Sequence, residues 1–207
     1  MSVAEATTFL AAIREHRLYA LFAVAIALGM RRGEALGLRW EDVDLVEGTI
    51  TMAMQLQRVA GKLRHDETKT DDSTRMVALP QPCIRALRRH RAQQAADRLG
   101  AGNLWTNSDL VFTTRKGTPI EPRNINRTFD ALVKRAGVQR IRFHDLRHSC
   151  ATLLFAQGVD LQTIRDLLGH SSIGVTSAIY VDVLREVQRD AVDRLGHLFG
   201  PDDESDT

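Results

Sequence analysis

The longest apolar stretch of the chain is Leu18–Met30, which lies between Arg17 and Arg31. A helix needs roughly 20 apolar residues to cross a bilayer. This shorter stretch therefore predicts a helix buried in the single core that a chain of 207 residues can form, ending at Gly29. No signal peptide precedes it, so the sequence predicts a cytoplasmic protein without a membrane partner.

Apolar periodicity predicts most of the remaining elements. The expected helices are Ala4–Glu15, a short one from Arg32 that stops before Trp40, Pro82–Leu99, Glu121–Ala136, His144–Gln157, Leu161–Leu168, Val175–Tyr180 and Val183–Leu198. Alternation predicts strands at Thr49–Gln57 and Arg75–Leu79, with a turn at Gly61 and a polar loop over Asp66–Thr74 between them. The expected fold class is mainly α with a small antiparallel β-sheet of about three strands.

Charge is unevenly distributed along the chain. The net charge is +2, but residues 201–207 hold four acids and no base, so residues 1–200 carry +6. We expect this acidic tail to be disordered. Of the 28 Lys and Arg residues, 24 are Arg, which binds phosphate bidentately. That excess fits a nucleic-acid partner, and coding bias from a GC-rich genome explains it equally well.

The C-terminal third holds the residues best suited to chemistry on a phosphodiester. His144, Arg147 and His148 stand at i, i+3 and i+4, so a helix would project them from one face. Two imidazoles and a guanidinium suit a single phosphate, although a surface helix with scattered polar residues has the same spacing. His144 and His148 also have the spacing of a zinc pair. Asp145 stands where a zincin has Glu, and Arg147 would repel the cation, so no metal site is predicted.

Three further positions complete the set of candidate residues. His170 follows Gly169 at a predicted turn, and Tyr180 is one of only two tyrosines. Tyr19 lies in the apolar helix, where a core role is expected, so a reactive phenol would be Tyr180. Arg31 lies at a helix junction, where backbone N–H groups favour an anion, and it could either strengthen anion binding or pair with Glu34.

In order along the chain, these residues form a pattern that resembles the tyrosine recombinase or phage integrase family. The pattern is G-x-R-x-G-E-A-L-x-L-x-W-x-D-V-D from Gly29, then a K-T loop, H-x-L-R-H, L-G-H and Y. The resemblance covers about Val3–Leu195 and implies that family's catalytic-domain fold over residues 1–200. The catalytic residues that it implies are Arg31, Lys69, His144, Arg147, His170 and Tyr180.

The resemblance also implies the activity: site-specific cleavage and rejoining of DNA strands through a covalent 3′-phosphotyrosine at Tyr180. Arg31 and Arg147 would hold the scissile phosphate, and His170 would add a hydrogen bond. His144 is the best candidate base and Lys69 the acid for the leaving 5′-oxygen. Glu34 looks like the acid that braces the first arginine, and the reaction needs no cofactor.

The implied partners are double-stranded DNA attachment sites and copies of the chain itself. The expected assembly is a homotetramer on DNA and a monomer when free, with accessory DNA-bending or excision factors. Additional DNA contacts are expected from Arg123, Asn124 and Arg127 at a helix start and from Arg142. An apolar stripe near the C-terminus would pack on its own domain or dock on a neighbour; it consists of Leu184, Val187, Ala191, Leu195 and Leu198.

The chain begins where the family's catalytic domain begins. The family's N-terminal DNA-binding domains are therefore expected to be absent, and an excised fragment is favoured over a naturally short member. Three other functions remain open at this point: a non-catalytic DNA-binding regulator with the same fold, a type IB topoisomerase-like enzyme, and a metal hydrolase.

Overall fold

The computed structural model describes residues 1–67 and 74–169. Seven α-helices lie within these residues: α1 (Val3–Ala12), α2 (Tyr19–Leu28), α3 (Arg32–Gly37), α4 (Gln81–Ala101), α5 (Pro122–Ala136), α6 (Asp145–Ala156) and α7 (Leu161–Leu168). The strands of the same residues are β1 (Val43–Asp44), β2 (Thr49–Met52), β3 (Met54–Val59), β4 (Lys62–Glu67) and β5 (Arg75–Ala78). The expected fold class, mainly α with a small antiparallel sheet, is confirmed.

Helix α2 forms the centre of the core, as its apolar composition predicts. Eight of its ten residues are buried, and Phe22 packs on Phe9 of α1 and Phe129 of α5 with ring centroids 5.9 and 5.6 Å apart. The core therefore surrounds α2 on several sides, which explains why the helix has no polar face.

Among the described residues, none of the helices combines the length and the apolar composition that a membrane span requires.

Gly29 ends α2 in the left-handed conformation, with φ 59°. A Cβ at this position would lie 2.3 Å from Cδ2 of Leu168, at the end of α7. Glycine is thus required by both the backbone and the close approach. As a result, the C-terminal ends of α2 and α7 meet, and their last carbonyl groups face the same place.

The predicted strand Thr49–Gln57 is wrong as a single element. The structure divides it into β2, which pairs antiparallel with β1 and β5, and β3, which pairs antiparallel with β4 in a separate hairpin. The hairpin backbone lies directly on α3, where a Cβ on Gly37 would come 2.7 Å from the carbonyl carbon of Gln55. Because β3 packs on α3 in this way, it does not continue the three-stranded sheet.

The predicted loop Asp66–Thr74 begins later than expected, because β4 continues to Glu67. The turn at Gly61 is confirmed, with positive φ at Ala60 and Gly61. Residues 68–73 lie outside the described residues. So do the predicted helices Val175–Tyr180 and Val183–Leu198 with their apolar stripe, and the acidic tail.

Candidate active site

Arg31 lies between α2 and α3 and is held at both its backbone and its side chain by Glu34. Its Nη1 donates to Oε1 of Glu34 at 2.8 Å, and its backbone N–H donates to Oε2 at 2.9 Å. Its Nη2 donates to the Gly169 carbonyl at 3.1 Å. The Arg31 side chain is 39% exposed although Glu34 is 2% exposed. The guanidinium is therefore braced from inside and still reaches solvent.

Arg147 of α6 is buried, with 3% of its surface exposed. Its Nη1 donates to the Gly29 carbonyl at 2.8 Å, and its Nη2 donates to the Leu168 carbonyl. These carbonyls belong to the ends of α2 and α7, where backbone acceptors carry partial negative charge. Since Arg31 binds the neighbouring Gly169 carbonyl, the two guanidinium groups lie side by side. Burial is the main cause that lowers the pKa of Arg147 to about 9, and the charge of Arg31 is the next. Arg147 therefore remains a cation at neutral pH.

The two histidines of the H-x-L-R-H motif are in contact. The ring centroids of His144 and His148 are 5.2 Å apart and the rings are perpendicular. His144 is the N-cap of α6 and not its first helical residue. Partial burial, followed by the nearby His148 and Arg147, lowers the pKa of His144. Its partly buried imidazole is therefore neutral at neutral pH and able to accept a proton.

The predicted common face of His144, Arg147 and His148 is confirmed only for the two imidazoles. Arg147 is instead buried against the ends of α2 and α7. Its burial follows from the close approach of those two helix ends at Gly29. In the described part of the chain, no three His, Cys, Asp or Glu side chains are grouped so as to hold a metal ion.

Arg75, the first residue of β5, is a buried arginine of the site that the sequence analysis missed. Its Nε donates to the Leu167 carbonyl at 2.7 Å. Its Nη1 and Nη2 donate to Oε1 and Oε2 of Glu34 at 3.3 and 3.1 Å. The local sequence contains no signal for this burial, because the apolar neighbour Met76 is the residue that faces outward, with 71% of its surface exposed.

Glu34 is thus a buried carboxylate shared by two arginines. Burial alone would raise its pKa, but the charges of Arg75 and Arg31 and their hydrogen bonds outweigh burial and hold the pKa below its ordinary value. Glu34 is therefore ionised at neutral pH. With Arg147, the cluster contains three guanidinium groups and one carboxylate, which leaves two net positive charges at the ends of α2 and α7.

A cleft of about 600 Å³ opens beside this cluster. Its polar lining consists of Arg31, Arg32, Gln55, Gln57, Asn126, Asp130, Arg142 and His144. Arg142 is largely exposed and pairs with Asp145 at 2.9 Å. The cleft is lined by residues of the β3–β4 hairpin, α3, α5 and the start of α6. Cations and amides from four distant segments therefore face it, together with the carboxylate of Asp130.

The other predicted DNA contacts lie on the first turns of α5. Arg123, Asn124 and Arg127 are all exposed, and Nη2 of Arg127 donates to Oδ1 of Asn124. Asn124 and Arg127 line a separate hollow with His16. Asn126, from the same run, lines the cleft. The roles of these residues in DNA binding stay predictions.

Lys69, His170 and Tyr180 lie outside the described residues, so the structure describes Arg31, His144 and Arg147 among the six predicted catalytic residues. In the sequence, Glu67 at the end of β4 stands two residues before Lys69, and Gly169 directly precedes His170. The catalytic roles of all six residues stay predictions.

Comparison with known proteins identifies the family that has this fold. The chain belongs to the phage integrase family, whose model matches residues 1–186. It is 37% identical over 200 residues to the tyrosine recombinase XerC-like protein of Caldanaerobacter subterraneus subsp. tengcongensis, covering 91% of this chain and 51% of that one. The resemblance inferred from the motifs is confirmed. The chain spans about half the length of the curated relatives that it matches.

Solved structures have the same fold. The crystal structure of XerA recombinase matches with a TM-score of 0.72 and 27% identity, over 92% of this chain and 62% of that one. The integrase of transposon Tn1549, in complex with transposon right end DNA, matches with a TM-score of 0.78 over 95% of this chain and 65% of that one. At 23% identity, the second match supports the fold alone.

Proposed function

We propose that this chain is the part of a site-specific DNA recombinase of the integrase type that cleaves and rejoins DNA strands through Tyr180. The observation that carries the proposal is the meeting of Arg31 and Arg147. These arginines come from distant segments, are fixed on adjacent carbonyl groups, and stand beside a cleft whose polar lining is mostly arginines and amides. The family membership and the similarity to a XerC-like recombinase support the same function.

The arginine pair would bind the scissile phosphate and stabilise its transition state. Negative charge develops on the non-bridging oxygens when phosphorus becomes pentavalent, and guanidinium groups already fixed in place need no reorganisation to meet it. Arg31 has an exposed face for this contact, and Arg147 supplies a second charge from a buried position. Although its pKa is lowered to about 9, Arg147 remains protonated at neutral pH.

The proton transfers would be divided between two residues. Tyr180 attacks phosphorus, which forms the bond from phosphorus to the phenol oxygen and breaks the bond to the 5′-oxygen. A phenol has an ordinary pKa of about 10, so it needs a base, and neutral His144 at the edge of the cleft is suited to take the proton. Lys69 gives a proton to the 5′-oxygen, and His170 donates to a non-bridging oxygen.

Rejoining is the same reaction in reverse. The free 5′-hydroxyl attacks the 3′-phosphotyrosyl bond, Tyr180 leaves, and the phosphodiester is restored. The covalent bond conserves the energy of the broken phosphodiester, so the cycle needs neither ATP nor another cofactor. The compartment of such an enzyme is that of its DNA substrate, the cytoplasm. Residues 1–200 form its catalytic domain.

Covalent capture on DNA tests this function before the attachment sequence is known. The chain is incubated in excess EDTA with a library of duplexes that carry a nick near a randomised centre, and complexes that survive detergent are resolved on a denaturing gel. We expect a protease-sensitive covalent band and an enriched sequence in the DNA recovered from it. DNA binding without any covalent band would instead favour a non-catalytic regulator, and activity only after zinc or magnesium is restored would favour a metal enzyme.

Lys69→Ala should slow cleavage of the captured sequence by roughly 10²–10⁴-fold, the usual worth of a general acid. A substrate with sulfur in place of the bridging 5′-oxygen has a leaving group that hardly needs a proton. On that substrate, the variant should cleave at nearly the parent rate. Lys62→Ala, an exposed position on β4, is the matched control and should cleave both substrates normally. Failure of sulfur to rescue Lys69→Ala would assign the lysine to phosphate binding instead.

The proposed partners are double-stranded DNA attachment sites, three further copies of the chain and accessory DNA-bending or excision factors. The apolar stripe near the C-terminus would dock on a neighbouring copy only when DNA aligns the copies. We therefore expect light scattering to give the 23.1 kDa monomer for the free protein, and a multiple of it on DNA. DNA binding should weaken steeply with salt. A stable tetramer without DNA would contradict this assembly.

A further inference from the structure

Arg75 connects three parts of the candidate site although it is not one of the six predicted catalytic residues. It begins β5, binds both carboxylate oxygens of Glu34, and donates to the carbonyl of Leu167 near the end of α7. The contact with α7 is close, because a Cβ on Gly169 would lie 2.9 Å from Nη1 of Arg75. Only 7% of the Arg75 side chain is exposed, so it does not compete with Arg31 for the cleft.

The charges around Glu34 explain what Arg75 does there. Arg31 faces the carboxylate from the start of α3, Arg75 from β5 and Arg147 from α6. Glu34 braces Arg31, yet a buried carboxylate beside Arg31 also subtracts from the positive charge that a phosphate would meet. Arg75 supplies the compensating cation on the buried side of Glu34. The charges of Arg31 and Arg147 then remain uncompensated and can act on a phosphate in the cleft.

We propose that Arg75 is a positioning residue for DNA cleavage, which neutralises Glu34 so that Arg31 and Arg147 present their full charge to the scissile phosphate. The proposal rests on the proposed function. It differs from a purely structural role, in which Arg75 only ties β5 to α3 and α7, because the charge of Glu34 would then affect stability and not the cleavage rate of the folded protein.

A double-mutant comparison separates the two roles. In Arg75→Met, cleavage of the captured sequence should fall by roughly 10²-fold, comparable to the loss of a charge-stabilising donor. In Arg75→Met/Glu34→Gln, removal of the uncompensated carboxylate should recover roughly 10-fold of that loss, within the usual range of coupling between contacting residues. Arg75→Lys keeps the charge without the bidentate contact and should retain more activity than Arg75→Met.

The pH dependence gives a second measurement that requires no cleavage. In the parent protein, the pKa of Glu34 lies below its ordinary value, so its ionised form stabilises the fold above the unfolded pKa of about 4.3. Arg75→Met removes the largest opposing charge, so burial raises the pKa. The difference in Tm between the parent and this variant should therefore be largest at about pH 8 and shrink towards about pH 5 as Glu34 takes up a proton. It should not shrink when residue 34 is glutamine.

The cleavage ratio of Arg75→Met to parent should rise over the same fall in pH, because protonation of Glu34 also restores the charge at the cleft. Arg17→Met is the control for loss of a partly buried ion pair. Arg17 pairs with Asp97 at 3.0 Å and donates to the Thr113 carbonyl at 2.7 Å, outside the residues that line the cleft. This control should lose stability and keep the parent cleavage rate.

Two results would overturn the proposal. One is a double variant that is no faster than Arg75→Met while its fold is intact at the assay temperature. The other is a Tm difference between parent and Arg75→Met that is independent of pH. Failure of the proposed function is distinguishable, since the parent itself would then form no covalent complex while the Tm measurement would still report on the coupling of Arg75 to Glu34.

Discussion

Arg147→Met should lower the rate of DNA cleavage by roughly 10³–10⁵-fold, the scale of an arginine that stabilises a phosphoryl transition state. The loss also has a structural component, because the Gly29 and Leu168 carbonyls would keep no guanidinium donor. Loss of such charged hydrogen bonds costs about 1.5–3 kcal/mol each. Single-turnover cleavage of the nicked substrate measures the first effect, and denaturant unfolding measures the second.

A matched control keeps these two effects apart. Arg165 is a partly exposed arginine on α7 that pairs with the neighbouring Asp166 at 2.6 Å, and this pair includes no residue of the cluster. Arg165→Met should therefore change neither cleavage nor stability by much. Arg147→Lys should remain folded and cleave slowly, since one ammonium group lacks the fork that spans two carbonyls. A cleavage rate of Arg147→Met within tenfold of the parent rate would show that Arg147 does not bind the scissile phosphate.

Tyr180→Phe should abolish covalent attachment to DNA and leave non-covalent binding nearly unchanged. The substitution removes only the attacking oxygen, and the cations that bind the phosphate remain. Tyr19→Phe is the control, because Tyr19 starts α2 and packs against the core. It should form the covalent complex at the parent rate. If the covalent complex persists in Tyr180→Phe and disappears in Tyr19→Phe, the nucleophile is Tyr19.

The fold could be predicted from the sequence wherever local signals agree. The apolar run and Gly29 both indicate α2 and its end, and the bounds of the α-helices among the described residues lie within three residues of their predicted positions. The division of Thr49–Gln57 into two strands had no local signal, because the alternating pattern continues across Ala53. It depends on Gly33 and Gly37, which let the β3 backbone lie directly on α3.

The candidate site could likewise be predicted from the sequence only where a local pattern specifies a contact. The pairing of Arg31 with Glu34 follows from their i, i+3 spacing, and it was one of two possibilities considered from the sequence. The bidentate pairing of Arg75 with the same carboxylate spans 41 residues, and no local pattern specifies it. It arises because β5 ends up beside α3 and the end of α7. Charge compensation of this kind is a tertiary property and becomes visible only when the three segments are placed together.

The nucleophile can be identified as the residue that carries the DNA. Covalent complex formed on the nicked substrate is digested with nuclease and trypsin, and the peptide spanning residues 166–185, which contains Tyr180, is analysed by mass spectrometry. We expect a nucleotide joined through its 3′-phosphate to the phenol oxygen of Tyr180. A nucleotide joined through its 5′-phosphate, or attachment to any other residue, would contradict it.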